Sequence, residues 1–384
     1  MDTAGISERI AALLPEIAAR REEIEGARRL PADLAEKLSA TKIFSLGVPS
    51  DLGGREASPS ELMAAIEAVA TADGSTGWCA MVGVANNLVS GYMPAEGARA
   101  VFADPTLPTA GIAAPAGQAL RTEGGVRVAG RWAFASGITH CAWVWAGALV
   151  MEQGQPRMTE HGPEIVHVCI PVQEVEIEDT WRVSGLCGTG SQHFRVADVF
   201  VPDSRIFALL DPSGHRPEPL YQMPPLGFFV AQLACVGLGI ARAALDEVTG
   251  LAATKVPSLY MEPLARRPAA QIDLARAEAA LGAARAYLYA TTEDLWEVLK
   301  SGGTPTRRQI ALARAAETQA VETAAAIART ASTLAGGSSL FLASALQRHV
   351  RDTEAMTHHF TVAPPTWEQA GRVLLGDDPG VPAF

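Results

Sequence analysis

Apolar positions near the start of the chain recur at helical spacing. Ile6, Ile10, Leu13, Leu14 and Ile17 line one face, and a charged stretch from Arg20 to Arg29 follows. Pro31 stands where the first turn of a next helix tolerates proline, ahead of Leu34 and Leu38. Residues 49–54 (PSDLGG) form a loop, and Ser58-Pro59-Ser60-Glu61 starts a helix carrying Leu62, Ile66 and Val69. Asp73-Gly74-Ser75 has the composition of a turn, after which Trp78 opens another helix that runs to Pro94. The first hundred or so residues are therefore predicted to be antiparallel helices.

The pattern changes near Leu107, where alternation and the residues Val, Trp and Gly take over. Val126–Val128, Trp143–Gly147, Ile165–Ile170, Val172–Ile177 and Phe194–Val201 are predicted strands. Short strands with turn signals between them suggest a small barrel or sandwich. Residues 211–225 are a Pro-rich connection. Long Ala-rich helices follow, over 228–249, 269–300, 306–335 and 340–359, which is the signature of a bundle. The expected class is α+β, with a helical domain at 1–106, a β domain at 107–210, a linker at 211–225 and a C-terminal four-helix bundle at 226–384.

Composition narrows the function classes. Of 384 residues 48% are hydrophobic and only 19% charged, so part of this lean polar surface is expected to be covered by sister subunits. A net charge of −11 argues against nucleic acid or an anionic membrane as partner. Five scattered cysteines without CxxC spacing are expected to be reduced core thiols, with no metal site. No signal peptide is read at the N-terminus, no uncharged apolar run reaches the length of a membrane span, and a cytoplasmic protein is expected. No Gly-x-Gly-x-x-Gly follows a strand, so the chain has no dinucleotide-binding fold of its own for NAD(P)H.

The candidate chemistry centres on Gly130-Arg131-Trp132-Ala133-Phe134-Ala135-Ser136-Gly137. An aromatic face, one hydroxyl and a glycine that lets backbone approach closely suit a flat, polar-edged ring such as a flavin. With His140-Cys141-Ala142-Trp143 behind it, this segment resembles one found in the two-component flavin monooxygenases of the acyl-CoA dehydrogenase superfamily. The run from Asp179 to Ser191 (DTWRVSGLCGTGS), closed by Val199-Phe200-Val201-Pro202, is similar to a second motif of that branch. Gly336 to Phe341, then Leu346-Gln347-Arg348, Arg351-Asp352 and His359, resemble its C-terminal signature.

The resemblance implies the acyl-CoA dehydrogenase-like fold: N-terminal helices, a β-barrel or sandwich and a helical bundle. It implies an oxygenase component that takes reduced FMN or FAD from a separate NAD(P)H:flavin reductase. With O2, through a C4a-hydroperoxide, it would hydroxylate or N-oxygenate a small organic, aromatic or polycyclic substrate. Phe134, Ser136 and Gly137 would lie against the flavin, with the Ser136 hydroxyl near N5. Pro115, in Ala113–Ala119, stands where the dehydrogenases carry Thr-Glu-Pro-x-Gly-Ser-Asp, so backbone contacts to the flavin are expected there. His359 is the leading catalytic candidate, with His358 as its alternate. Gly337 and Arg351 would complete a neighbouring subunit's flavin site in a homotetramer. Asn86-Asn87 stands where many relatives carry a histidine; an amide can orient a substrate oxygen but cannot act as a base at neutral pH.

Two further readings compete. A flavin dehydrogenase acting on an acyl thioester needs a carboxylate base, and residues 360–367 hold none, leaving Glu354 and Glu368 out of place. A non-catalytic helical assembly protein would have no use for Ser136 or His359.

Overall fold

The computed structural model describes residues 3–160 and 162–381. Six α-helices lead: α1 (Thr3–Ala19), α2 (Arg21–Ala27), α3 (Ala32–Ala40), α4 (Pro59–Ala72), α5 (Gly74–Asn87) and α6 (Ala95–Val101). Helix α4 begins as its sequence predicts. Ser58 and Glu61 form a reciprocal capping box, and Pro59 occupies the first turn, where its missing N–H costs nothing. The next helix starts earlier than expected. Asp73 is its cap rather than part of a turn: the buried carboxylate accepts from the Thr76 N–H at 2.7 Å and the Thr76 hydroxyl at 2.8 Å. Trp78 thus lies inside α5.

The β domain comprises β1 (Thr109–Thr122), β2 (Gly125–Ala135), β3 (Trp143–Glu152), β4 (Gln155–Pro156), β5 (Met158–Thr159), β6 (Gly162–Pro163), β7 (Ile165–Pro171), β8 (Glu176–Glu178), β9 (Gln192–Pro202) and β10 (Ile206–Phe207). All but the β5–β6 hairpin join one eight-stranded sheet in the order β10-β7-β3-β1-β2-β9-β8, with β4 paired to β3. Its central pair, β1 and β3, is parallel, and the other pairings are antiparallel. Two details differ from the sequence-based expectation. Residues 109–122 are a full strand, although Ala and Gly there give little β signal. Val172–Glu174 is a 3-10 turn, leaving only Glu176–Glu178 extended.

The sheet has its own core, in which Val126, Val128, Val144, Phe194 and Val201 surround the fully buried Trp132. Gly117 and Gly130 face each other beneath that indole, and a Cβ on Gly117 would lie 2.2 Å from its ring. Only glycine fits there.

The remaining helices are α7 (Pro225–Thr254), α8 (Pro268–Lys300), α9 (Arg307–Ala335), α10 (Ala345–Thr357) and α11 (Pro365–Leu374). Residues 336–340 form a 3-10 turn, so the last bundle helix starts at Ala345 and not near Leu340. Helix α7 is central, packed on α4, α5, α9 and α10. It is long and apolar enough to cross a bilayer, but 83% of that apolar window is buried among the protein's own helices. One continuous core joins Ile17, Leu62 and Met81 of the N-terminal helices to Leu233, Val321 and Met356 of the bundle.

Candidate active site

The end of β2 is built to depart from a regular strand. Its register with β9 slips between Trp132 and Ala135, and within the slip Phe134 takes φ +67°. A bulky residue at positive φ is strained, and such strain persists where the surrounding structure enforces it. The result is an aromatic ring 63% exposed, held edge-on by Trp181 and His193 with centroids 6.2 and 5.7 Å away. Gly137 follows at φ +74° and donates its N–H to the Thr189 carbonyl at 2.9 Å. Beside this end of β2, β1 bulges between Ile112 and Gly117, leaving Ala113 to Ala116, Pro115 included, exposed. Pro115 lies beyond the Gly117–Gly130 pair, toward the Ser136 end of β2. An exposed ring and a bare apolar bulge on one sheet fit the flat face of an isoalloxazine.

Ser136 is buried and richly bonded. It accepts from Trp78 Nε1 at 3.1 Å and lies 2.6 Å from the Ser191 hydroxyl. Ser191 is in turn 2.7 Å from the Thr189 hydroxyl, which donates to the Leu186 carbonyl at 2.9 Å. The Gly-Thr-Gly-Ser motif thus supports Ser136, a role the sequence alone did not suggest.

His359 also packs against Trp78, its ring edge-on to the indole at 5.9 Å and near Phe229 and Phe360. One indole therefore links the two candidate residues, which come from domains far apart in sequence. His358 instead ends α10 on the exposed surface. His359 Nδ1 lies 2.7 Å from the Thr361 hydroxyl and 3.4 Å from the Thr361 N–H, which donates to it. Burial, helped by the nearby Arg314 cation, pushes its pKa down to about 4 and keeps the imidazole neutral.

Behind Thr361 lies a buried ion pair. Arg314 on α9 donates to the Thr361 carbonyl at 2.7 Å and to Glu317 at 2.6 Å, and the two side chains are 3% and 2% exposed. Burial raises the Glu317 pKa even though Arg314 opposes it. Neither residue stood out in the sequence.

Other candidates have different surroundings. Asn86 is buried and donates to the Thr109 carbonyl at 3.2 Å, while Asn87 donates to the Phe44 and Leu107 carbonyls. Both amides fasten α5 to the start of β1. Arg351 bonds Gln347 at 2.7 Å and Glu25 at 2.6 Å and also donates to the Ser184 carbonyl, tying α10 to α2 and the 183–187 loop. Gly337 is exposed in the 3-10 turn after α9. Glu354 pairs with Arg329 on the surface at 2.7 Å and Glu368 is exposed, so neither offers a carboxylate to the Ser136–His359 cluster.

Comparison with known proteins agrees with this architecture. The acyl-CoA dehydrogenase N-terminal domain model matches residues 9–101, and the acyl-CoA dehydrogenase C-terminal domain model matches residues 231–364. Indole-3-acetate monooxygenase of Pseudomonas putida is 33% identical over 368 residues, covering 94% of this chain and 91% of the relative. The crystal structure of 3-HSA hydroxylase from Rhodococcus sp. RHA1 superposes with TM-score 0.92 at 26% identity, covering all of both chains. XiaF from Streptomyces sp., solved in complex with FADH2 and glycerol, superposes with TM-score 0.91 at 25% identity, covering 99% of this chain and 97% of that one. Fold and relatives thus define a flavoprotein of the acyl-CoA dehydrogenase fold. Within it, the chain belongs to the two-component flavin-dependent monooxygenases, as an oxygenase component.

Proposed function

We propose that the chain receives reduced FMN or FAD from a separate NAD(P)H:flavin reductase and uses O2 to hydroxylate a small aromatic substrate. The observation that supports this best is the meeting of Ser136 and His359 across Trp78, beside the exposed Phe134 and the 113–116 bulge. Phe134, Gly137 and the Pro115 bulge would hold the flavin ring, which supplies the oxygen-activating chemistry when bound. Trp78, Phe229 and Phe360 are aromatic surfaces suited to a planar substrate. Several relatives are named for aromatic compounds, indole-3-acetate and resorcinol among them. Because Nδ1 of His359 accepts from the Thr361 N–H, the neutral ring carries its proton on Nε2. There it can donate to a substrate oxygen. Asn86 acts through the position of β1.

The purified chain alone should not oxidise NADH or NADPH. Given chemically reduced FMN or FAD in air, it should add one oxygen atom to indole-3-acetate, resorcinol or another aromatic acid or phenol, read by mass spectrometry. Rapid NADH oxidation by the isolated chain would overturn the electron supply, and binding of neither flavin would overturn the reading as a whole.

The assembly is proposed to be a homotetramer working in the cytoplasm. Leu340, Phe341 and Leu342 are 81%, 71% and 80% exposed next to Gly337, an apolar ridge suited to a second copy. Sedimentation at micromolar concentration should show a species of about four chains. A stable monomer would contradict it.

A further inference from the structure

Behind the bulge in β1 stands a histidine from two strands away. Ile112 pairs with Ala146 and Gly117 with Ala148, so residues 113–116 all stand opposite the single residue Gly147 of β3. On its other edge Gly147 pairs with His167 of β7, and cross-strand partners project to the same face. Glycine leaves that face bare. The imidazole crosses it and brings Nε2 to 3.2 Å from the Ala113 carbonyl. The Ala113 and Ala114 carbonyls also lie over Gly147, where a Cβ would meet their oxygens at 2.4 and 2.8 Å.

The direction of the imidazole contact follows from its far end. Nδ1 of His167 receives the Leu209 N–H at 3.3 Å, and a backbone N–H can only donate. The ring proton therefore sits on Nε2 and is donated to Ala113. The other tautomer would set N–H against N–H at one end and a lone pair against a carbonyl at the other. The ring is 3% exposed, with Phe207 stacked at 5.4 Å and Trp145 edge-on at 5.8 Å. Burial pushes its pKa down to about 4, against the opposing Ala113 bond, so the single-proton form holds at neutral pH.

We infer that His167 is a positioning residue that braces the flavin-facing bulge from behind, held in one tautomer by the segment that leaves the sheet for the bundle. The inference rests on the flavin reading above for its ligand. Ala-Ala-Pro-Ala has no side chain able to brace its own backbone, so the brace has to come from elsewhere. Its effect reaches the open side through the peptide plane. No peptide bond among the described residues is cis, and in a trans peptide the N–H points opposite to the carbonyl. Drawing the Ala113 carbonyl toward His167 thus turns the Ala114 N–H outward, on an exposed stretch where Pro115 has no N–H of its own. That N–H is a donor the bulge can offer to the polar edge of a bound ring.

Replacements of His167 separate the two ends of the imidazole. His167→Gln can still donate to Ala113, His167→Asn reaches only far enough to accept from Leu209, and His167→Phe keeps the ring packing with neither bond. Dithionite-reduced FMN and FAD are titrated anaerobically, with melting temperatures measured beside them. The dissociation constants should rise about threefold to tenfold in the Asn and Phe variants, as expected for one hydrogen bond lost, and stay within about twofold of the parent in the Gln variant. A merely structural His167 would make affinity follow melting temperature across all three variants. That result, or parental affinity in the Phe variant, overturns the inference. Crystals without flavin give a second test. Residues 113–116 should move in His167→Phe and keep their place in His167→Gln, and a neutron map of the deuterated parent should show the ring deuteron on Nε2. A deuteron on Nδ1, or a bulge unmoved in the Phe variant, overturns the inference. If the variants fail to fold, the neutron map decides alone. Failure of both flavins to bind the parent would reject the flavin reading, while the crystals would still report whether His167 holds the bulge.

Discussion

His359→Ala lowers substrate hydroxylation on the order of 10²-fold, with flavin binding nearly intact and reduced flavin diverted to hydrogen peroxide. The expectation follows from position. The ring is fixed by Thr361, edged by Trp78 and kept neutral by its partial burial and Arg314. Its free nitrogen, Nε2, lies on the side away from Thr361. His359→Gln separates two roles for that nitrogen. Glutamine keeps an N–H donor but cannot take up a proton at neutral pH, so it should retain more hydroxylation than alanine if the ring acts by donating. Product and peroxide per reduced flavin, measured by chromatography and a peroxidase assay, check both. Parental product yield in the alanine variant would make His359 a packing residue.

Glu317→Ala should cost about 3–5 kcal/mol of folding stability, the usual penalty for stripping one partner from a buried ion pair. The Arg314 guanidinium cannot shed its charge and would be left almost fully buried with only the Thr361 carbonyl to bond. The reverse change is milder. In Arg314→Met the orphaned Glu317 can take up a proton, which burial already favours, and so avoid an isolated charge. That variant loses its hold on the Thr361 carbonyl, so it should damage hydroxylation more than stability. Urea denaturation midpoints beside turnover would show the crossover. Equal stability losses in the two variants would mean that the pair is exchanged or hydrated more than its burial implies.

The sequence was most informative where a motif fixes local geometry. Ser58 with Glu61 marked a helix start, and the motifs holding Ser136 and His359 marked two segments that meet at Trp78. Trp78 escaped notice because an aromatic residue on an apolar helix looks like ordinary core until its N–H is seen to meet Ser136. Arg314 and Glu317 are three apart on an Ala-rich helix, a spacing that usually means a solvated ion pair; only tertiary packing turned that face inward. Strand β1 was hidden for a different reason. Its Ala-Ala-Pro-Ala centre carries no β-branched residue and bulges out of register, and what holds the strand extended on either side is its parallel neighbour β3, with the glycine-lined groove under Trp132. The Asn86 and Asn87 amides bond carbonyls twenty and more positions away, partners that no pattern in the sequence indicates.

The shared core of the two helical regions bears on how the protein is made. Its sheet, with a self-contained interior, is complete once the ribosome has passed residue 207, whereas α4 and α5, though packed on each other, finish covering their apolar faces when α7 arrives. The first hundred or so residues therefore wait, partly unsatisfied, through synthesis of the whole β domain. At about 5–20 residues per second that is a delay of several seconds or more, the interval in which a nascent chain most needs chaperone cover.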